Sequence, residues 1–396
     1  MNHDLQKLHD YPFQKLAHLK SQVAAPDGGT THISLSIGEP KHPPPEFVLE
    51  ELRKNLSALS IYPNTKGSPE LRQAIADWLG RRYQLKKIDP EHEVLPVNGT
   101  REALFSFAQA VVDRSANPLV ISPNPFYQIY EGATLLAGAE LGFTNCWADN
   151  AYLPDYSAVG QAEWQRCQLL YLCSPGNPSG AVMPKTQLQA LIELAHRYDF
   201  VIASDECYSE IYFGDNPPTG LLQASQDMGN DNFSRCVVFH SLSKRSNLPG
   251  LRSGFVAGDA SVLKPYLQYR TYHGCAMSQP VQLASVTAWN DEHHVVENRR
   301  QYEQKFTAVI AILQDVIQVQ KPDASFYLWL RTPFDELTFT QELYSRENVT
   351  VLPGSFLSRP TPQGNPGERH VRIALVANLD ECIDAAHRLK RFIVSL

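Results

Sequence analysis

Short apolar runs rich in β-branched residues alternate with stretches of helical spacing through the first two thirds of this 396-residue chain. Val94–Val97 leads through Asn98-Gly99-Thr100 into an apolar-rich helix, 101–112. Leu119-Val120-Ile121 is expected to stop at the turn Pro123-Asn124-Pro125, with a second helix behind it. Leu169–Cys173 ends in Ser174-Pro175-Gly176-Asn177-Pro178-Ser179-Gly180, after which Leu188, Leu191, Ile192 and Ala195 recur at helical spacing. Val201-Ile202-Ala203 and Cys236–Phe239 are further strands of the same kind. Strands this uniformly apolar are covered on both faces, and helices of ten to fifteen residues between them make βαβ units. The expectation is an α/β fold: a parallel sheet covered by helices on both faces, plus a smaller α+β domain.

The pattern changes near residue 285. A long helical stretch, 295–316, precedes strand candidates at 325–330, 349–352 and 370–375. Near the other end, Pro43-Pro44-Pro45 cannot continue a helix or a central strand. The expected organisation is an N-terminal arm contributing to the small domain (1–45), a large domain (46–285) and a C-terminal small domain (286–396).

Charge and cysteine usage narrow the function. The formal charge is −7, so no basic surplus exists for general nucleic-acid binding. No apolar run approaches the roughly 20 residues of a membrane span, and the first twenty residues lack an apolar signal core. The seven cysteines are odd in number and irregularly spaced, with no C-x-x-C, which points to reduced thiols rather than disulfides or zinc. His293-His294 beside Glu292 reads as an exposed polar helix and not a metal site. These features imply a cytoplasmic protein without a metal.

In open sheets of this type ligands sit at the carboxyl ends of the strands. Several chemically capable residues fall there. Lys244, in Ser241-Leu242-Ser243-Lys244, could serve as a neutral amine that attacks a carbonyl. The hydroxyls beside it and Arg252, in Arg252-Ser253-Gly254, suit a phosphate. Asp205, three residues before Tyr208, could keep a heterocyclic nitrogen protonated. Asn177 could donate to a phenolate, and Gly99-Thr100-Arg101 opens a helix whose free N–H groups favour a phosphate. Each has a plainer explanation when taken alone: a surface lysine, helix caps at Asp205 and Thr100, turn chemistry at Asn177.

Together, Gly99-Thr100, Asn177-Pro178-x-Gly180, Asp205-x-x-Tyr208, Ser241-x-Ser243-Lys244, Arg252-x-Gly254 and Val371-Arg372-Ile373 resemble the ordered motifs of the class I/II aminotransferases, pyridoxal-phosphate enzymes of fold type I. The resemblance implies a large domain with a mostly parallel, seven-stranded sheet flanked by helices, beside the smaller α+β domain, and it implies that Lys244 forms the Schiff base with pyridoxal 5′-phosphate and shuttles the substrate proton. It implies that Asp205 pairs with the pyridine nitrogen, and that Asn177 and Tyr208 bind the cofactor's 3-hydroxyl. Gly99, Thr100, Arg101 (through its backbone), Ser241, Ser243 and Arg252 would surround the phosphate. Tyr127 would stack on the ring, with Phe126 as its alternative. Arg372 would grip the substrate α-carboxylate, aided by Asn177 and the Gly38 backbone. Tyr62 would reach the neighbour's phosphate across a homodimer interface. The substrates implied are an amino acid and a 2-oxo acid, normally the glutamate/2-oxoglutarate pair.

Tyr11-Pro12-Phe13-Gln14, Gly38-Glu39-Pro40-Lys41-His42 and Phe126-Tyr127-Gln128-Ile129-Tyr130 further resemble the proteobacterial succinyldiaminopimelate aminotransferases of lysine and diaminopimelate biosynthesis. Such a substrate carries distal acid groups, for which Lys66, Arg101 and Arg270 are candidate partners, each with a surface-charge alternative. Other class I aminotransferases (aspartate, alanine, acetylornithine or LL-diaminopimelate type) and carbon–sulfur lyases share the core motifs. No G-x-G-x-x-G follows a strand, which disfavours a nicotinamide dehydrogenase.

Overall fold

The computed structural model describes residues 1–26 and 30–396. Its strands, in chain order, are β1 (Ile33–Ser34), β2 (Val94–Val97), β3 (Leu119–Asn124), β4 (Glu140–Asn145), β5 (Cys167–Cys173), β6 (Val201–Asp205), β7 (Cys236–Ser241), β8 (Gly254–Gly258), β9 (Tyr327–Arg331), β10 (Val349–Thr350), β11 (Leu352–Pro353) and β12 (His370–Ala374). Seven form one sheet in the order β2-β8-β7-β6-β5-β3-β4. All its neighbours are parallel except those of β8, which runs antiparallel to both β2 and β7.

The central strands are apolar throughout because alternate residues feed two separate cores. Leu170, Leu172 and Ile202 face one, with Trp78 and Phe255; Leu169, Tyr171, Val201 and Ala203 face the other, with Phe107 and Tyr130. This alternation puts Asp205 on the Tyr130 side of β6.

The second assembly is an antiparallel sheet β11-β12-β9, packed on helices 293–313, 336–347 and 379–394. β1, from the N-terminal arm, pairs in parallel with β10, Ile33 opposite Val349.

Several local expectations are corrected. β3 does not stop before its prolines but runs to Asn124, with Pro123 paired to Thr144 of the edge strand β4. The single run expected over 349–352 divides into β10 and β11, which join different sheets. β4 and β8 carry no alternating or strongly β-branched pattern and escaped the periodicity. The helix expected over 295–316 spans His293–Leu313. Arg270 is not a surface charge: it is fully buried and bonded through Nη1 to both carboxylate oxygens of Glu102. His294 is not exposed either; its ring bridges Asp291 and Ser246. Among the described residues no cluster of metal-ligating side chains occurs, and no helix is long and apolar enough to cross a membrane.

Candidate active site

The carboxyl ends of β5, β6 and β7, the start of helix 100–111 and the loop after β1 enclose a cleft of about 550 Å³. Of the residues singled out in the sequence, it brings together Gly38, Thr100, Arg101, Tyr127, Asn177, Asp205, Tyr208, Ser241, Ser243, Lys244, Arg252 and Arg372. Gly99 does not line the cleft itself; it precedes Thr100 and stands against the Arg252 guanidinium, both of which do. Tyr62 lies outside the cleft and is fully exposed in this single chain.

Lys244 sits inside a short helical turn, Leu242–Arg245, capped by Ser241, whose Oγ accepts from the Ser243 N–H and donates to Ser243 Oγ. Its Nζ donates to the Gly38 carbonyl at 2.5 Å. Burial lowers its pKa to about 8; Cys207 raises it and Arg372 lowers it further. Asp205 is buried at the end of β6, where Oδ2 accepts from the Tyr130 hydroxyl at 2.8 Å and Oδ1 from the Cys207 N–H at 3.3 Å. Burial pushes the carboxyl above its ordinary value, against the hydrogen bonds from Cys207 and Tyr130 that pull it down.

Gly99, at φ +84°, is the N-cap of helix 100–111, so the cap is a bare backbone position rather than Thr100. Thr100 Oγ1 instead meets Cys207 Sγ at 3.2 Å. A Cβ at Gly99 would stand 2.3 Å from Arg252 Nη2, so this glycine keeps open the space between helix terminus and guanidinium. Arg252 is held by the Pro249 and Asn98 carbonyls.

Arg372 projects from β12. Its Nη1 donates to Asn177 Oδ1 at 2.9 Å and its Nη2 to the Ser36 carbonyl at 2.8 Å, while its buried Nε has no partner. Tyr327, which no sequence pattern indicated, lies beneath it with the ring 4.3 Å from the guanidinium carbon. Its hydroxyl meets Tyr208 Oη at 3.0 Å and fills the space beside Gly38. Tyr11 enters from the N-terminal arm, and Arg101 donates to the hydroxyls of Tyr127 at 2.8 Å and Tyr11 at 3.4 Å. The Tyr11-Pro12-Phe13 segment appeared in the sequence only as a likeness; its place at the cleft depends on long-range packing.

A buried carboxylate, a partly neutral amine, a helix terminus kept open beside an arginine, and an arginine with unused donor capacity are what pyridoxal phosphate and an α-amino acid require together. The chain matches the model of the family "Aminotransferase class I and II" over residues 30–386. It belongs to the class I and II aminotransferases. This aminotransferase is pyridoxal-phosphate-dependent and acts between amino acids and 2-oxo acids, as its family does. It is 32% identical over 393 residues to an LL-diaminopimelate aminotransferase of Nitratidesulfovibrio vulgaris, covering 97% of each chain. Its fold superposes on an aminotransferase from Neisseria meningitidis with a TM-score of 0.95 at 52% identity, covering 100% of this chain and 99% of that one. A probable N-succinyldiaminopimelate aminotransferase from Thermus thermophilus gives a TM-score of 0.85 at 27% identity, covering 96% and 100%.

Proposed function

We propose that this aminotransferase exchanges the amino group of N-succinyl-LL-2,6-diaminopimelate with 2-oxoglutarate, as a cytoplasmic homodimer whose large domain spans residues 46–285. Pyridoxal phosphate, when bound, supplies an aldehyde that takes up amines and a ring that accepts the electron pair of the substrate Cα–H bond. Gly99, the first-turn N–H groups of helix 100–111, Ser241, Ser243 and Arg252 bind its phosphate. Asp205 holds a proton on the ring nitrogen, and Tyr130 holds Asp205. Asn177 and Tyr208 would hold the ring's hydroxyl, and Tyr127, which lines the same cleft, would stand against the ring. Lys244, whose pKa burial lowers to about 8, would take the Cα proton on Nζ and deliver it to the carbon of the former aldehyde. Arg372 receives the α-carboxylate in a bidentate pair.

The observation that carries the acidic substrate is Arg101. Of the three cations considered for the distal end, Arg270 is spent on Glu102 and Lys66 on Glu91, whereas Arg101 lines the cleft with only hydroxyl partners. An uncompensated guanidinium there suits a second carboxylate. Transamination of LL-diaminopimelate is the second reading, favoured by the names of the relatives at 30–32% identity; its distal carboxylate would also meet Arg101, and its distal ammonium the nearby Glu39.

A donor panel with 2-oxoglutarate, scored by glutamate formed, separates the two. N-Succinyl-LL-diaminopimelate is expected to give the highest kcat/KM. Preference for the unsuccinylated compound would support the second reading, and preference for alanine would remove both. Arg101→Leu should raise KM for N-succinyl-LL-diaminopimelate about tenfold, roughly 1.4 kcal/mol, and leave KM for alanine nearly unchanged.

A further inference from the structure

Behind the cleft runs a buried chain of polar side chains with no part in the chemistry described so far. Helix 293–313 carries Asn298, Tyr302 and Lys305 at i, i+4 and i+7, hence on one face. Lys305 Nζ lies 2.5 Å from His42 Nε2, and His42 Nδ1 lies 2.8 Å from Asn298 Oδ1. Asn298 Nδ2 donates to the backbone carbonyls of Lys244 at 3.1 Å and Arg245 at 3.3 Å. Asn247 Nδ2 donates to Asn298 Oδ1 at 3.0 Å.

Hydrogen-bond chemistry gives this chain a direction. The Asn298 amide nitrogen faces two carbonyls, so the Asn298 oxygen must accept. His42 therefore carries its proton on Nδ1, and its Nε2 accepts from Lys305. A lysine donates in either protonation state. Lys305 is 2% exposed, and its partners are His42 and the Val376 carbonyl rather than a carboxylate. Burying an amine with so little compensation is costly, and a chain that retains it needs a reason.

The segment from Ser36 to His42 is held at three points by three cations. Arg372 donates to the Ser36 carbonyl, Lys244 to the Gly38 carbonyl, and Lys305 to His42. The first two have other duties in the reaction, and Lys244 must leave Gly38 to move a proton. Only Lys305 has no second task.

We propose that Lys305, His42 and Asn298 are positioning residues that lock the Gly38 segment to the turn bearing Lys244, so that the Gly38 carbonyl stays aligned when Nζ departs. The inference rests on the reading of Lys244 as the reacting amine. With the anchor gone, the protonated nitrogen at position 244 loses a fixed acceptor, and its proton leaves more easily. The charged and titratable groups around that nitrogen, Cys207, Arg372, Glu39 and Arg101, are untouched by substitution at 305.

The test uses the full-length holoenzyme and the variants Lys305→Met, Lys305→Arg and His42→Gln. The pH midpoint of the bound cofactor's absorption is read together with kcat, KM and the melting temperature. Lys305→Met is expected to lower that midpoint by about half a pH unit or more, and kcat by about fivefold or more, with KM within about twofold; Lys305→Arg should regain most of both. If Lys305→Met does not fold, His42→Gln decides by the same criteria. Wild-type midpoint and kcat in folded variants overturn the proposal, and so does a fall in melting temperature with no shift in midpoint. Borohydride reduction and peptide mapping of the same samples keep the two readings apart. A tag away from Lys244 refutes its role, whereas a tag on Lys244 with an unmoved midpoint refutes only the anchor.

Discussion

Lys244 shows how one residue's environment sets both reactivity and stability. Its folded pKa, about 8, lies below the 10.5 of an unburied lysine, chiefly through burial. Between those values the unfolded chain binds more protons than the folded one, so this lysine's contribution to stability improves as pH rises through about 8 to 10.5 and is unfavourable below that window. Cofactor-free Lys244→Met should therefore melt above the cofactor-free wild type at pH 7, with the gap narrowing by pH 9.5. Melts whose separation does not depend on pH would contradict the depressed pKa. Asp205 gives a graded comparison. Asp205→Ala should lower kcat by at least about a hundredfold, ~2.7 kcal/mol, whereas Tyr130→Phe, which removes a single hydrogen bond to the carboxylate, should cost no more than about tenfold. Equal losses in the two variants would assign the main role to Tyr130. The sequence motifs named Lys244, Asp205 and Arg372 with a role; Tyr130 stood in a quoted segment without one, and Tyr327 was not indicated, because the contact of each with the site depends on long-range packing.

At the scale of elements, the start of helix 100–111 depends on a glycine. At φ +84° an L side chain is strained, and here it would also press into the Arg252 guanidinium. Gly99→Val should raise the dissociation constant for pyridoxal phosphate at least about tenfold, measured by equilibrium dialysis, and leave helix content by circular dichroism unchanged. Retained affinity would show that the helix terminus and Arg252 do not share one phosphate. The strands buried on both faces were legible in the sequence because a residue that must face one of two cores is apolar at every position. β4 was not legible: it is an edge strand with only its last two residues buried. β8 was missed because its five residues begin and end in glycine and take their direction from β7 and β2 on either side.

At the scale of the molecule, the exposed Leu56, Leu59, Ile61 and Tyr62 leave an apolar stretch uncovered in the single chain, where the sequence anticipated a dimer contact. Sedimentation is expected to give twice the 44.4 kDa chain mass. Tyr62→Phe should weaken cofactor retention without dissociating the dimer, and a fully active monomer would refute the shared site. The cleft itself joins the N-terminal arm, β12 and the large sheet, so Arg372 reaches Ser36 across 336 residues of chain.

The sequence alone determined the layered α/β architecture and the chemistry-bearing residues at the strand ends. Two-sided burial and local turn and cap chemistry leave their marks in adjacent residues. Which cation lines the cleft with hydroxyl partners only, and which buried amine meets His42, was decided only by the tertiary structure. Arg101, Arg270 and Lys305 are equivalent as letters in a sequence; they differ in whether the fold brings a carboxylate, a hydroxyl or an imidazole within hydrogen-bond reach.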